Sequence, residues 1–157
     1  MIKVVTIGVY GFDAESFLRK LRQADVSVLL DLRQRRGVRG HEYAWANSQR
    51  LQAALAEAGI AYEHHTELAP TTDMRQAQYA EDDRQGVGKR SRQVLADVYA
   101  RRYTAEILDK ADLAPIASGD GVAALFCVEA DAEACHRSLV AERLSRMYGV
   151  EVEHLRP

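Results

Sequence analysis

Apolar and polar positions along the chain fall into blocks, and each block has a readable period. Val4-Val5-Thr6-Ile7 is a short, β-branched apolar run closed by Gly8, which predicts a first strand. Asp13 stands where a helix cap belongs, ahead of Phe17, Leu18 and Leu21 at helical spacing. Val26 to Leu32 is nearly continuous in apolar residues, the pattern of a strand covered on both faces. Residues 33–46 carry no period and predict a loop. Asn47 or Ser48 caps a second helix, with Leu51, Ala54, Leu55 and Ala58 on one face and Gly59 at its end. Ile60 to His65 predicts a third, weaker strand.

Thr66 to Lys89 is polar and interrupted by Pro70, Gly86 and Gly88. It predicts a long loop of the kind that serves as a lid or binding loop, helical in part over Met74 to Asp82. Ser91 to Asp112 is helical in pattern, with Val94, Leu95, Val98, Ile107 and Leu108 inward. Gly119-Asp120-Gly121 turns into a fourth strand, Val122 to Cys127. A helix from Cys135 to Tyr148 puts Leu139, Val140 and Leu144 inward, and Gly149 ends it. Val150 to Leu155 is a last short strand. The order β-α-β-α-β-loop-α-β-α-β predicts a single three-layer α/β domain over residues 1–157. Its expected sheet is Rossmann-like and mostly parallel, with about five strands and right-handed crossovers.

Bulk properties narrow the setting. A chain of 157 residues with 47% hydrophobic and 28% charged content suits one soluble domain with a sizeable core. Its apolar runs fall far short of the roughly 18 residues of a membrane span, so no membrane partner is expected. The first residues read as a strand and not as a signal peptide, which predicts a cytoplasmic protein with two reduced cysteines. The net charge of −2 exerts no global pull on nucleic acid. Locally, Arg33, Arg35, Arg36 and Arg39 crowd one loop with no acid among them. No cofactor is expected and no residue is assigned to a metal, and the oligomeric state is open, a homodimer included.

In an open α/β sheet, ligands bind outside the carboxyl ends of the strands. Those ends carry Gly8, Tyr10 and Gly11; Asp31 and Arg33; His64, His65 and Glu67; and finally Cys127-Val128-Glu129 with Cys135-His136-Arg137. Acid-base, nucleophilic and anion-binding side chains thus gather on one rim. Cys135 at a helix start would have its thiol pKa lowered by the macrodipole, and further by His136 and Arg137 if they point the same way. Consecutive helical residues generally do not share a face, so one or two of the three are expected to reach any one ligand. The expected catalytic residues are Cys127, Glu129, Cys135 and His136. Asp31, Arg33, Arg39, His65, Glu67 and Arg137 are the expected substrate residues.

Established signatures fit poorly. A Cys-x5-Arg phosphatase loop fails because position 133 is Glu133. Gly86-Val87-Gly88-Lys89-Arg90 resembles the tail of a P-loop but lacks the leading glycine, the final Ser/Thr and the preceding buried strand. No zinc-finger spacing is present, although Cys127, Cys135, His136 and one of His64 or His65 would make four ligands of the type zinc prefers. Tyr43, Trp45 and Tyr79 flank the basic and polar loops; they are expected to staple these irregular loops to the core, the other reading being that rings and arginines together bind nucleotides or single strands. Three readings stay open. One is an enzyme acting on an anionic, nucleotide or nucleic-acid-related substrate. Another is a non-catalytic module that binds nucleic acid or protein through the Arg33–Arg39 loop. The third is a metal-binding protein built on Cys127, Cys135 and histidine.

Thr6-Ile7-Gly8, Leu30-Asp31-Leu32-Arg33, the passage from Leu55 to Leu68, Cys127-Val128-Glu129 and Cys135-His136-Arg137-Ser138-Leu139 occur in an order that resembles the DUF488 family, small proteins of unknown function. The resemblance spans essentially the whole chain and implies that the rim is the site; it implies no reaction. Val9-Tyr10 replaces the family's usual His-Ser after Thr-Ile-Gly, and the loop after Asp-x-Arg lacks the common proline.

Overall fold

The computed structural model describes residues 1–88 and 90–157. Five strands, β1 (Lys3–Ile7), β2 (Val28–Asp31), β3 (Ala61–His64), β4 (Val122–Phe126) and β5 (Glu151–His154), form one sheet in the order β3-β2-β4-β1-β5. Every pairing is parallel. The helices are α1 (Ala14–Gln23), α2 (Ser48–Glu57), α3 (Thr72–Gln85), α4 (Asp97–Glu106), the single turn α5 (Ala114–Ala117) and α6 (Arg137–Tyr148).

Handedness divides the layers. The chain steps from β1 past β4 to β2 and on to β3, then returns through β4 to β5. Right-handed crossovers place α1 and α2 on one face and the later helices on the other. Two separate cores reflect this. One packs Phe17, Leu21, Leu51 and Leu55 on Val5, Ile7, Leu29 and Phe126. The other packs Met74, Tyr103, Val140 and Leu144 on Val4, Leu30, Ala123 and Leu125. Each fully buried large apolar side chain contributes about 1.5–3 kcal/mol relative to exposure.

Because β4 lies between β1 and β2, its exit toward α6 leaves on the face opposite to theirs. A crevice therefore opens at the carboxyl end of β4, where Cys127 follows Phe126.

Three expectations change. The polar stretch 66–89 is mostly helix α3. Thr71 caps it by accepting from the Met74 N–H, and Gly86 ends it in the left-handed conformation. Its buried residues Met74, Gln78 and Asp82 include only one hydrocarbon-like side chain, so no apolar period announced it. Residue 89, which closed that stretch and belonged to the rejected P-loop tail, lies outside the described residues.

Second, the helix expected over residues 91–112 begins only at Asp97. Before it the chain is a strap, fastened where the Leu95 N–H donates to the Glu133 carbonyl. Val94 and Val98, expected inward, are 71% and 45% exposed; Leu95 and Leu108 are buried as expected. Third, α6 starts at Arg137. Cys135 precedes it in extended conformation (φ −138°, ψ 147°), so it is not in the helix.

The loop after Arg33 holds a 3-10 segment, His41–Ala46, that seats Trp45 against Phe17 at 4.8 Å between rings. Among the described residues no helix is long and apolar enough to cross a membrane.

Candidate functional site

Beyond β4, the chain runs through Cys127, Val128 and Glu129 and returns to the sheet at Cys135 and His136. Backbone contacts hold this loop tightly. The Val9 and Tyr10 N–H groups both donate to the Val128 carbonyl, at 2.9 and 3.0 Å. Gly8 passes so close that a Cβ there would lie 1.9 Å from the Glu129 carbonyl oxygen. Arg137, wholly buried, donates through Nη1 to that same oxygen at 2.7 Å and through Nη2 to the Ala130 carbonyl at 3.3 Å. The first strand, the loop and the start of α6 thus meet at one carbonyl.

His136 is fixed by its far nitrogen. Nε2 lies 2.9 Å from the Leu32 carbonyl oxygen, which can only accept, so Nε2 carries the proton. Nδ1 then faces the sulfurs, 3.8 Å from Cys127 Sγ and 3.7 Å from Cys135 Sγ. Cys135 and His136 are neighbours that share a target, because the turn before a helix is not bound by helical spacing. Both cysteines are buried, and no disulfide joins them.

The thiols are pushed in opposite directions. Hydrogen bonding with Cys135 and burial raise Cys127 well above an ordinary thiol. Burial opposes the Cys135 thiolate, but the hydrogen bond from Cys127 and the positive charge of His136 and Arg137 outweigh it and hold its pKa well down. One proton shared between two sulfurs belongs to the pair and not to either residue. Burial depresses His136, yet the thiolate of Cys135 beside it brings the net shift upward.

A second buried assembly lies under the rim. Arg33 donates to Asp31 through Nε (2.9 Å) and Nη2 (2.8 Å), and through Nη1 to the Ala46 carbonyl (2.9 Å). Its guanidinium sits 4.7 Å from the centre of the Phe126 ring. Tyr62 donates to Asp31 Oδ2 at 2.6 Å. A third assembly centres on Arg92. It contacts Asp82 (Nη2–Oδ2 2.8 Å), Glu129 (Nη1–Oε1 3.2 Å) and the Ala134 carbonyl (3.0 Å), joining α3 and the strap to the loop after β4.

These elements enclose a cavity of about 720 Å³. Cys127, Glu129 and His136 form part of its wall, with Arg33 and Arg39. Among the described residues, Arg35, Arg75, Arg90 and Arg92 also line it, while Glu129 is its one carboxylate. Arg75 and Arg90 are steered by neighbours: Arg75 donates to Gln34 and Tyr79, and Arg90 lies 5.3 and 5.1 Å from the Tyr10 and Tyr43 ring centres. Arg35 and Arg39 are exposed, and no hydrogen bond or ion pair of either side chain occurs among the described residues.

The structure therefore brings together most of the expected rim, in two tiers. Asp31, Cys135 and Arg137 stand behind the wall and hold it. His65 and Glu67 lie elsewhere: His65 bridges Glu63 (2.9 Å) and Glu67 (2.6 Å) at the β3 edge, outside the cavity lining. His64 contacts the Arg33 carbonyl oxygen at 2.8 Å and is not with the cysteines. Arg92, Asp82 and Gln78 were missed by the sequence reading. Gln78 and Asp82 stand four apart on α3, which makes them neighbours on one helix face, a signal hidden while that stretch reads as loop.

The profile of the domain of unknown function DUF488 matches residues 13–144. The chain belongs to the DUF488 family. No curated protein matches it. Among solved structures it is similar to the crystal structure of a conserved hypothetical protein from Aeropyrum pernix K1, at 18% identity and a TM-score of 0.43. That similarity covers 99% of this chain and 38% of the other, so this chain spans well under half the length of its structural neighbour.

Proposed function

We propose that this DUF488 protein is an enzyme whose substrate is an anion of nucleotide or nucleic-acid type, bound in the cavity beyond β4 and transformed at its Cys127–His136 floor. One observation carries the reading: arginines dominate the charge of a cavity that has a cysteine and a histidine in its wall. A volume of about 720 Å³ is within the range of small-ligand sites, roughly 300–1,000 Å³. Arginine is suited to bidentate contacts with phosphate, and the half-buried Tyr79 offers a ring for stacking.

Calorimetric titration with inorganic phosphate and with nucleoside monophosphates at low ionic strength tests the reading. Binding should weaken about tenfold or more in Arg35→Ala/Arg39→Ala, and bound nucleotide should slow alkylation of Cys127 by iodoacetamide. Absence of any phosphate or nucleotide binding, or binding indifferent to the arginine pair, would sink it. The exposure of Arg35 and Arg39 favours one further reading, a module that holds nucleic acid without turnover. It predicts salt-dependent binding of oligonucleotides whose covalent structure is unchanged after prolonged incubation.

A further inference from the structure

We infer that Cys127, Cys135 and His136 form a zinc site with an open coordination position facing the cavity. The inference is independent of the proposed substrate class, since it uses no arginine. Its basis is the geometry of three ligand atoms. The two sulfurs and Nδ1 of His136 all lie within 4.8 Å of one another and all three residues are buried. A zinc ion about 2.3 Å from sulfur and 2.0–2.1 Å from nitrogen separates the two by about 3.6 Å in a tetrahedron and about 3.8 Å in a trigonal plane. The observed separations from Nδ1 are 3.7 and 3.8 Å. Their near equality places the imidazole symmetrically before both sulfurs, as ligation requires and as a hydrogen bond to one sulfur does not.

The outer contacts agree. A ligating histidine typically donates its other ring N–H to a carbonyl or carboxylate, which orients the ring and presents the lone pair. His136 does this with Leu32, at the end of β2, across the crevice from its own chain segment. The donor set also discriminates. Two thiolates and an imidazole suit zinc and exclude magnesium and calcium, which take oxygen ligands. The eight-residue cysteine spacing matches no zinc-finger pattern: Cys127 leaves β4, and Cys135 and His136 arrive at the other end of the same loop, just before α6.

Three protein ligands leave the fourth zinc position for water or substrate, the arrangement of catalytic sites and not of closed structural ones. Here that position has somewhere to open. Cys127 and His136 line the cavity and Cys135 lies behind them. Binding is balanced as Zn2+ plus a trio of net charge zero, which carries two dissociable protons over its two sulfurs and the His136 Nδ1, giving a neutral bis-thiolate complex and two released protons. The reaction needs no oxidant.

The test uses wild-type protein purified without chelator and then loaded with Zn2+ or Co2+. The expected results are one zinc per chain by elemental analysis and release of two protons per zinc in weakly buffered calorimetry. Both thiols should be protected from maleimide until a chelator is added. The Co2+ form should show thiolate-to-metal charge-transfer absorption and the strong d–d bands of a four-coordinate ion. Cys127→Ser and His136→Gln, checked for folding by circular dichroism, should each lower zinc affinity by at least tenfold. The inference is overturned if desalted wild-type protein retains no zinc, if maleimide labels both cysteines equally fast with and without zinc, or if Cys127→Ser/Cys135→Ser binds zinc as wild type does. Phosphate binding in the same preparations reports separately on the arginine wall, so failure of one reading is distinguishable from failure of the other.

Discussion

Gly8→Ala should be among the most damaging single-methyl additions this chain can suffer. Gly8 has no left-handed backbone to protect, because its φ is not positive, so the cost comes from contact alone. The new Cβ would sit 1.9 Å from the Glu129 carbonyl oxygen and 2.8 Å from its carbon, whereas real Cβ contacts essentially never fall below 3.0 Å. Backbone meets backbone there, so no side chain can swing aside. The loop after β4 must retreat from 1.9 Å to at least 3.0 Å, and it carries the acceptor of the 2.7 Å bond from Arg137. Overpacking costs about 1–3 kcal/mol. Weakening a hydrogen bond from a charged donor adds roughly 1.5–3 kcal/mol. For a chain of this size a total of about 3–5 kcal/mol lowers Tm by roughly 6–20 °C. Gly59→Ala is the control: φ is +74° and nothing lies within 4 Å, so only backbone strain applies, about 1–2 kcal/mol. Scanning calorimetry of both variants decides. Gly8→Ala melting within about 2 °C of wild type, or above Gly59→Ala, would refute the close-approach argument. Because both act on the Glu129 carbonyl, Gly8→Ala and Arg137→Met should also combine less than additively in urea denaturation.

Four further outcomes are expected. Asp31→Asn leaves the buried Arg33 guanidinium without its countercharge and should cost about 3–5 kcal/mol in urea unfolding, while Asp31→Leu/Arg33→Met recovers most of it. Arg92→Leu should release the strap, read as faster amide exchange at Leu95 and Ala96 with β-sheet protection retained. Thr71→Ala removes the cap of α3 and should cost about 1 kcal/mol. His154, at Thr6 on the β5 edge, has its pKa lowered chiefly by burial. A folded-state pKa below the unfolded value means its contribution is present above about pH 6.5 and is lost as pH falls through that region. His154→Gln should flatten the stability profile there, and an unchanged profile would count against the assignment.

Helices α1, α2 and α6 and all five strands were legible because their information is local: caps, turn glycines and apolar periods of the right length. Helix α3 was not, since it buries a glutamine and an aspartate where an amphipathic helix buries hydrocarbon. Those two residues are buried only because Arg92 arrives from the strap, fourteen residues beyond Gln78 along the chain. The same omission made Val94 and Val98 look internal. The candidate site was legible as a list of strand ends, and Cys127, Glu129 and His136 do meet there. The list could not separate His65 and Glu67, which pair with each other at the sheet edge.

Alternation of apolar strands with amphipathic helices was enough to determine a parallel, three-layered α/β protein, because parallel strands require crossovers and crossovers have one hand. The order β3-β2-β4-β1-β5 was a tertiary decision, made by which strands bury which faces. That order puts β4 between two strands whose chains exit to the opposite side, and so opens the cavity at Cys127. It also carries the Leu32 carbonyl to within 2.9 Å of His136, 104 residues away, and turns the imidazole toward two sulfurs. Such a convergence depends on distances through space, which no periodicity along the chain encodes.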